Sequence, residues 1–455
     1  MKFTRYDNVV PTEIEWIPEL PAHWDIVRFR HLFSFGRGLS ITKANLKDEG
    51  VPCVNYGEIH SKFGFEVNPE KHTLKCVDET YLDEGGSSLI EYGDFVFADT
   101  SEDLEGSGNF TYLNSATPIF AGYHTVIARL HSDDLPRYLA YLFDSELFRF
   151  QIRKSVTGVK VYSITQAILK SSYVWLPSKA EQEKIVSFLD FRTRKIDLLI
   201  EKKKAIIEKL EEQRSSIIAL ATTRGIKKHP VTQKPEAEWL GSFPEDWKLL
   251  KLKFCVSVIG GGTPKTDVDE YWGGDIPWVS PKDMKTNRIS FTQDNITEMG
   301  LNESATKLID PDNVLIVVRS GILAHTIPVA KNTVEVSLNQ DMKALLPNKK
   351  VIDSSYLQNL IYGNQKVLLN IWRKPGCTVE SIEMNYMLNT FIPLPELIEQ
   401  KEIVEYIESR TKKINTMLSV NYTAIDKLIE YRSSLITAVV TGQLDVRNVK
   451  VPEEY

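Results

Sequence analysis

Four cysteines in 455 residues, Cys53, Cys76, Cys255 and Cys377, are too few and too scattered to staple a fold. No two stand at CxxC spacing and no histidines flank them. A disulfide framework and a zinc site are excluded, and the thiols read as reduced side chains of a cytoplasmic protein. Long apolar runs are missing too: no stretch reaches the ~18 residues a membrane span needs. The opening Met1-Lys2-Phe3-Thr4-Arg5-Tyr6-Asp7 lacks the apolar core of a signal peptide. The expectation is a chain neither exported nor embedded, with no membrane partner. Positive charge is also in deficit. Lys and Arg number 55 against 61 Asp and Glu, a net charge of -6, and residues 1–175 hold 17 basic against 24 acidic side chains. That excludes a wholly basic nucleic-acid-binding domain but leaves room for a basic face.

Catalytic signatures are absent as well. Gly36-Arg37-Gly38 and Gly260-Gly261-Gly262-Thr263-Pro264-Lys265 match neither GxGxxG nor GxxxxGK[ST], so both read as tight turns. The eight histidines show no HxxxH or HExxH spacing. There is no Asn- or Asp-Pro-Pro-aromatic tetrapeptide of the kind amino-methyltransferases carry, and Asp310-Pro311-Asp312-Asn313 reads as a turn. The chain is expected to bind neither cofactor nor metal and not to be an enzyme.

What the chain does contain is a duplication. Leu176-Pro177, Glu181-Gln182, Ile185-Val186, Arg192-Thr193, Lys195-Ile196, Lys209-Leu210 and Arg214-Ser215-Ser216 return 218 residues later. The second set is Leu394-Pro395, Glu399-Gln400, Ile403-Val404, Arg410-Thr411, Lys413-Ile414, Lys427-Leu428 and Arg432-Ser433-Ser434, aligned without a gap. Each copy is helical by period. Apolar residues at Ile185, Leu189, Ile196, Leu199, Ile206, Leu210, Ile217 and Leu220 follow the three-four spacing of a coiled-coil seam. Ile403, Ile407, Ile414, Met417, Ala424, Leu428, Leu435 and Ala438 repeat it. Polar seam positions, Arg192, Lys203 and Gln213 in one copy and Arg410, Asn421 and Tyr431 in the other, point to pairing with one particular partner. A helix over residues 181–223 would be about 64 Å long at 1.5 Å per residue, too long to bury in a small domain.

A second duplication precedes each helix. Glu15-Trp16, Pro21, Trp24 and Arg28-Phe29-Arg30 are echoed by Glu238-Trp239, Pro244, Trp247 and Lys251-Leu252-Lys253, 223 residues apart. The fixed spacing assigns the four tryptophans to packing. Between these marks lie short β-like runs, among them residues 51–56, 94–97 and 124–128 in the first module and 276–280, 314–318 and 342–346 in the second. With 42% hydrophobic and 25% charged residues the chain can fill several cores.

In these markers, and in Gly93-Asp94-Phe95-Val96-Phe97-Ala98-Asp99-Thr100-Ser101-Glu102-Asp103, Ala121-Gly122-Tyr123-His124-Thr125, Tyr271-Trp272-Gly273-Gly274-Asp275-Ile276-Pro277-Trp278 and Ser337-Leu338-Asn339-Gln340, the sequence resembles the specificity subunits of type I restriction-modification systems over nearly its whole length. The resemblance implies an α+β fold, with two α/β target-recognition domains separated by two long helices that form an antiparallel intramolecular coiled coil. The boundaries read as 1–175 for the first recognition domain, 176–226 for the first helix, 227–234 for a linker, 235–393 for the second recognition domain, 394–446 for the second helix and 447–455 for a tail. It further implies recognition of an asymmetric bipartite site in double-stranded DNA, with half-sites about one helical turn, ~34 Å, apart. The implied partners are two adenine-methylating modification subunits and two motor-nuclease restriction subunits, which would carry S-adenosylmethionine, ATP and Mg.

Major-groove reading needs Arg or Lys for guanine, Asn or Gln for adenine, and acidic or hydroxyl groups for cytosine. On loops these types occur at Arg37, Lys43, Asn55, Tyr56, Ser101, Lys160 and Tyr162 in the first module. In the second they occur at Lys265, Ser280, Lys282, Arg319, Asn339, Gln340, Arg373 and Lys374. Each residue taken singly has a solvated loop position as its alternative, so the loops carry the expectation rather than their members. Two competing readings are a coiled-coil scaffold with protein-binding heads and a stand-alone nuclease. The second is disfavoured by the lack of a metal-site carboxylate cluster.

Overall fold

The β-like runs become two sheets built to one plan, and the computed structural model describes residues 4–158 and 161–452. The chain divides into two compact units, 1–203 with 423–455, and 204–422, so the division falls inside both long helices, Lys179–Arg224 and Leu397–Val440.

In the first unit a five-stranded sheet runs Phe33–Arg37, Thr125–Leu130, Phe95–Ala98, Phe110–Leu113, Phe65–Val67, antiparallel except for its last, parallel pair. Phe95–Ala98 and Phe110–Leu113 are buried at every position, as strands covered on both faces are; the first is apolar throughout and the second admits only Thr111. One face packs on the helices Pro136–Asp144 and Glu146–Ser155 through aromatic rings, Phe29 stacking on Phe143 with centroids 5.2 Å apart and Phe143 tilted against Phe148 at 4.5 Å. Truncating Phe143 to Ala would cost about 3–5 kcal/mol. A four-stranded sheet of Lys75–Val77, Val51–Val54, Ile119–Ala121 and Leu89–Ile90 covers the other side.

The second unit repeats the order with other residues: Val256–Gly260, Met342–Pro347, Val314–Val317, Val329–Asn332, Arg288–Ile289, again with only the last pair parallel. Its smaller sheet has three strands, Asp294–Ile296, Trp272–Val279 and Ser337–Leu338.

The duplicated markers fix where each long helix begins. Glu181 is buried and accepts from the Tyr6 hydroxyl (2.5 Å), Trp24 Nε1 (3.2 Å) and His23 Nε2 (2.8 Å). Gln182 and Gln400 are buried with their amides fully engaged: Gln182 on Leu135 N, Pro177 O and the Asp134 carboxylate, Gln400 on Asp353 N, Val351 O and Pro395 O. Trp24 and Trp247 are buried, and Trp239 donates to Phe391 O at 2.9 Å, so these tryptophans pack as expected.

Within each unit the two long helices run side by side. In the first, Arg192 donates to the Tyr431 hydroxyl (3.0 Å) and Arg432 pairs with Asp197 (3.0 Å). In the second, Tyr422 donates to Glu211 (2.9 Å) and Arg214 to Asn415 (3.2 Å), so numbering rises on one helix as it falls on the other. The expected seam needs correction. Leu199, Ile206, Leu220 and Met417 are exposed, whereas Thr193, Ile207, Ile218, Thr411, Leu418 and Ile425 are buried. The buried stripe follows the 3.6-residue turn of a straight helix instead of the 3.5-residue heptad. The reason is that the part of each helix within a unit also packs on that unit's globule: Leu189 and Ile196 belong to the first core, Ile218 and Ala221 to the second.

Candidate nucleic-acid interface

One end of each five-stranded sheet gathers most of the expected readers. In the first unit Arg37 ends its strand opposite Val126, and Thr125 faces Ala98, so the loops after residues 37 and 98 and the turn before 125 share one rim. Gly38 donates to Thr125 O (3.2 Å) and Leu39 to Ala121 O (2.9 Å). A Cβ on Gly38 would run into the Gly122 carbonyl oxygen, so only glycine lets the two loops close. The second unit reproduces these bonds. Gly261 donates to Met342 O (3.3 Å), Gly262 to Leu338 O (2.9 Å), and a Cβ on Gly261 would strike Asn339 O. The register pairs Gly260 with Lys343 and Val317 with Met342, which sets Gly260 where Arg37 stands, Lys343 where Val126 stands and Asp341 where His124 stands.

Arg37, Tyr56, Ser101 and Tyr162 come together on the first rim. Ser101 is the ladder partner of Tyr162, and its hydroxyl donates to Asp103 O (2.7 Å). Asn55 is buried, its backbone N–H and Nδ2 both directed at Glu58 Oε2 (3.2 and 3.1 Å) at the start of the helix Tyr56–Ser61. Lys43 is exposed on a turn farther along the loop, and Lys160 lies outside the described residues.

On the second rim Arg319, Asn339 and Gln340 meet. Gln340 accepts from the Thr263 hydroxyl, and Asn339, buried, accepts from Asp341 N (3.0 Å). Ser280 matches Asn55 in place and in bonding: its N–H and hydroxyl both donate to Asp283 Oδ2 (2.8 and 2.9 Å). Arg373 is tied to Glu380 (3.1 Å) and to Leu323 O, while Lys374 joins the rim through Ser381, the bridge partner of Arg319. Lys265 and Lys282 are exposed, away from these bonds.

Several rim residues escaped the sequence reading. His124 has φ 55°, a left-handed conformation uncommon for residues other than Gly, though His adopts it more readily than most. It packs edge-on against Tyr56 (5.3 Å) and pairs with Asp99 (3.3 Å). In the second unit the pair is Arg319 with Asp341 (3.5 Å). Both His124 and Arg319 leave more than half of the side chain exposed, 57% and 61%, so each can still reach a ligand. Tyr123 also lies on the first rim, its hydroxyl pushed up by burial and then by Tyr56. The Gly122-Tyr123-His124 run was quoted as a family marker, yet only its backbone role was legible. Among the described residues no group of three His, Cys, Asp or Glu side chains could hold a metal, and no helix is long and apolar enough to cross a membrane.

Residues 21–211 and 244–420 match the family described as type I restriction modification DNA specificity domain. The chain belongs to this family. It is 37% identical over 174 residues to the EcoR124I/EcoR124II specificity subunit of Escherichia coli, covering 38% of this chain and 42% of that protein. It is 32% identical over 169 residues to the MjaIX specificity subunit of Methanocaldococcus jannaschii, covering 36% and 38%. The chain thus spans about two fifths of the length of these curated relatives. A chain from a structure addressing complex assembly and conformational transition of the type I R-M system superposes with TM-score 0.62 at 16% identity, over 93% of this chain and 99% of that one, and so shares its fold.

Proposed function

We propose that this chain is the sequence-specificity subunit of a type I restriction-modification complex, reading an asymmetric bipartite site in double-stranded DNA. It directs adenine methylation or cleavage that partner subunits perform. Residues 1–175 and 235–393 are the two target-recognition domains, and each reads one half-site through its rim. The observation that carries this reading is that the two rims share one backbone scaffold and differ in nearly every exposed side chain. That is the property needed to read two different sequences in one manner. Arg37, Tyr56, Ser101 and Tyr162 with His124 serve the first half-site, and Arg319, Asn339 and Gln340 with Lys374 the second. Two modification subunits and two restriction subunits complete the assembly, supplying S-adenosylmethionine, ATP and Mg chemistry in the cytoplasm. Since this chain carries net charge -6, part of the phosphate neutralisation falls to them.

The test is the N6-methyladenine map of cells with and without the gene, the modification subunit being expressed in both. Loss of one bipartite motif on deletion is expected. An unchanged map would favour a coiled-coil scaffold with protein-binding heads. Exchange of residues 235–393 for another such module is expected to change one half of the motif and leave the other intact.

A further inference from the structure

The two rims differ in which strand carries a cation. In the first, Arg37 stands exposed at the end of strand Phe33–Arg37, opposite the buried Val126. In the second these places hold Gly260 and Lys343. The lysine side chain crosses toward the neighbouring strand. A Cβ on Gly260 would lie 2.6 Å from Lys343 Nζ, 3.7 Å from Cε and 3.8 Å from Cδ, so the glycine is the groove in which the ammonium rests. The cation has changed strands and kept its place.

Lys343 is half-buried, and among the described residues no carboxylate or other hydrogen-bond partner holds its ammonium. An ammonium gains from a charge-assisted hydrogen bond, and other half-buried cations of this unit have one: Lys331 pairs with Asp312 and Arg373 with Glu380. The adjacent carboxylate, Asp341, faces Arg319 instead. An acceptor from outside the chain is missing from the account. On duplex DNA half to two-thirds of a protein's hydrogen bonds go to phosphate and sugar oxygens, with Lys and Arg among their donors, so a phosphate is the acceptor that an ammonium on the rim meets first.

We infer that Lys343 is a backbone-phosphate anchor of the second recognition unit, the positional counterpart of Arg37 in the first. This rests on the reading of the chain as a DNA-specificity subunit. The chemistry is charge neutralisation without sequence information. It therefore sets affinity and register for the second half-site and leaves base choice to the exposed Arg319 and Gln340.

The experiment measures equilibrium binding of the chain, assembled with its modification subunit, to its methylation-defined duplex and to duplexes altered in either half-site, across a salt series. For Lys343→Met the slope of log affinity against log salt is expected to fall by about 0.9, with affinity about fivefold weaker near 0.15 M salt. The ranking of altered duplexes should stay unchanged. The double variant Gly260→Arg with Lys343→Val, which installs the first unit's arrangement, is expected to restore slope and affinity. Thermal melting of the free variants separates misfolding from lost contact. Wild-type affinity for Lys343→Met, an unchanged slope, a changed base ranking, or failure of the double variant to rescue while it melts like wild type would each overturn the inference. Failure of the wild-type assembly to discriminate its motif at all would instead overturn the reading beneath it.

Discussion

Replacing Gln400 by alanine tests the claim that the repeated Glu-Gln pair is a structural clasp. Gln400 is fully buried at the base of the second long helix. Its Oε1 accepts from Asp353 N at 2.8 Å, and its Nε2 donates to Val351 O (3.0 Å) and Pro395 O (2.9 Å). Asp353 is itself the N-cap of the helix Ser354–Gly363, accepting from Ser355 N and Tyr356 N. Alanine leaves one buried N–H and two carbonyls short of a partner, at about 1–3 kcal/mol for each group that finds no substitute, and opens a small cavity besides. With partial relaxation the expected loss is about 3–5 kcal/mol. For a unit of roughly 200 residues that lowers the melting transition by about 10 °C. Glutamate at this position keeps the acceptor but sets a carboxylate against two carbonyls, so Gln400→Glu should lose stability as well. Gln182→Ala should behave alike, because Gln182 bonds Leu135 N (2.9 Å), Asp134 Oδ1 (2.7 Å) and Pro177 O (3.0 Å). Urea unfolding followed by circular dichroism reads the difference, and a loss below about 1 kcal/mol for Gln400→Ala would refute the clasp.

Thiol chemistry should sort the four cysteines by burial. Cys377 is exposed and should react rapidly with a disulfide reagent, whereas burial pushes the Cys53 thiol up to about 12 and that of Cys255 up to about 11. One thiol per native chain is expected to titrate, and four after denaturation. Arg137 clasps Glu66 (2.6 Å) and Asp190 (2.7 Å). Burial opposes ionisation of Glu66, but the Arg137 charge and hydrogen bond, with Asn114, outweigh it and hold the carboxyl below its usual range. A depressed carboxyl stabilises the fold above its unfolded pKa, about 4.3, and loses that contribution as pH falls through the folded value. Arg137→Met should therefore cost about 1–3 kcal/mol at pH 7, with the gap to wild type narrowing below about pH 4 in urea titrations.

The architecture was legible because duplication is visible wherever side chains are committed to packing. Glu181-Gln182 and Glu399-Gln400 recur because each must meet a module at a helix start, and the entrance tryptophans recur because they pack there, Trp24 and Trp247 buried and Trp16 and Trp239 half-buried. The seam was legible only in part. Heptad spacing assumes that the other helix is the sole cover, and the globule's claim on Leu189 and Ile218 turns the stripe onto the straight-helix period.

The rims were harder to read for a physical reason that their geometry supplies. Backbone closure at Gly38 and Gly261 must be kept, since any side chain there collides with the facing turn. The exposed positions above that closure need only present a suitable group at a given place, and neighbouring strands can supply it equally well. Arg37 and Lys343 stand on different strands at one rim position, and Asp99–His124 and Asp341–Arg319 place a carboxylate beside a nitrogen-bearing side chain there with the order along the chain reversed. Linear alignment compares residues at a fixed offset, whereas this surface preserves charge in space across a hydrogen-bonded pair. A pattern of that kind appears only when cross-strand register is known, which is why Lys343 and His124 went unmarked while the loops around them were found.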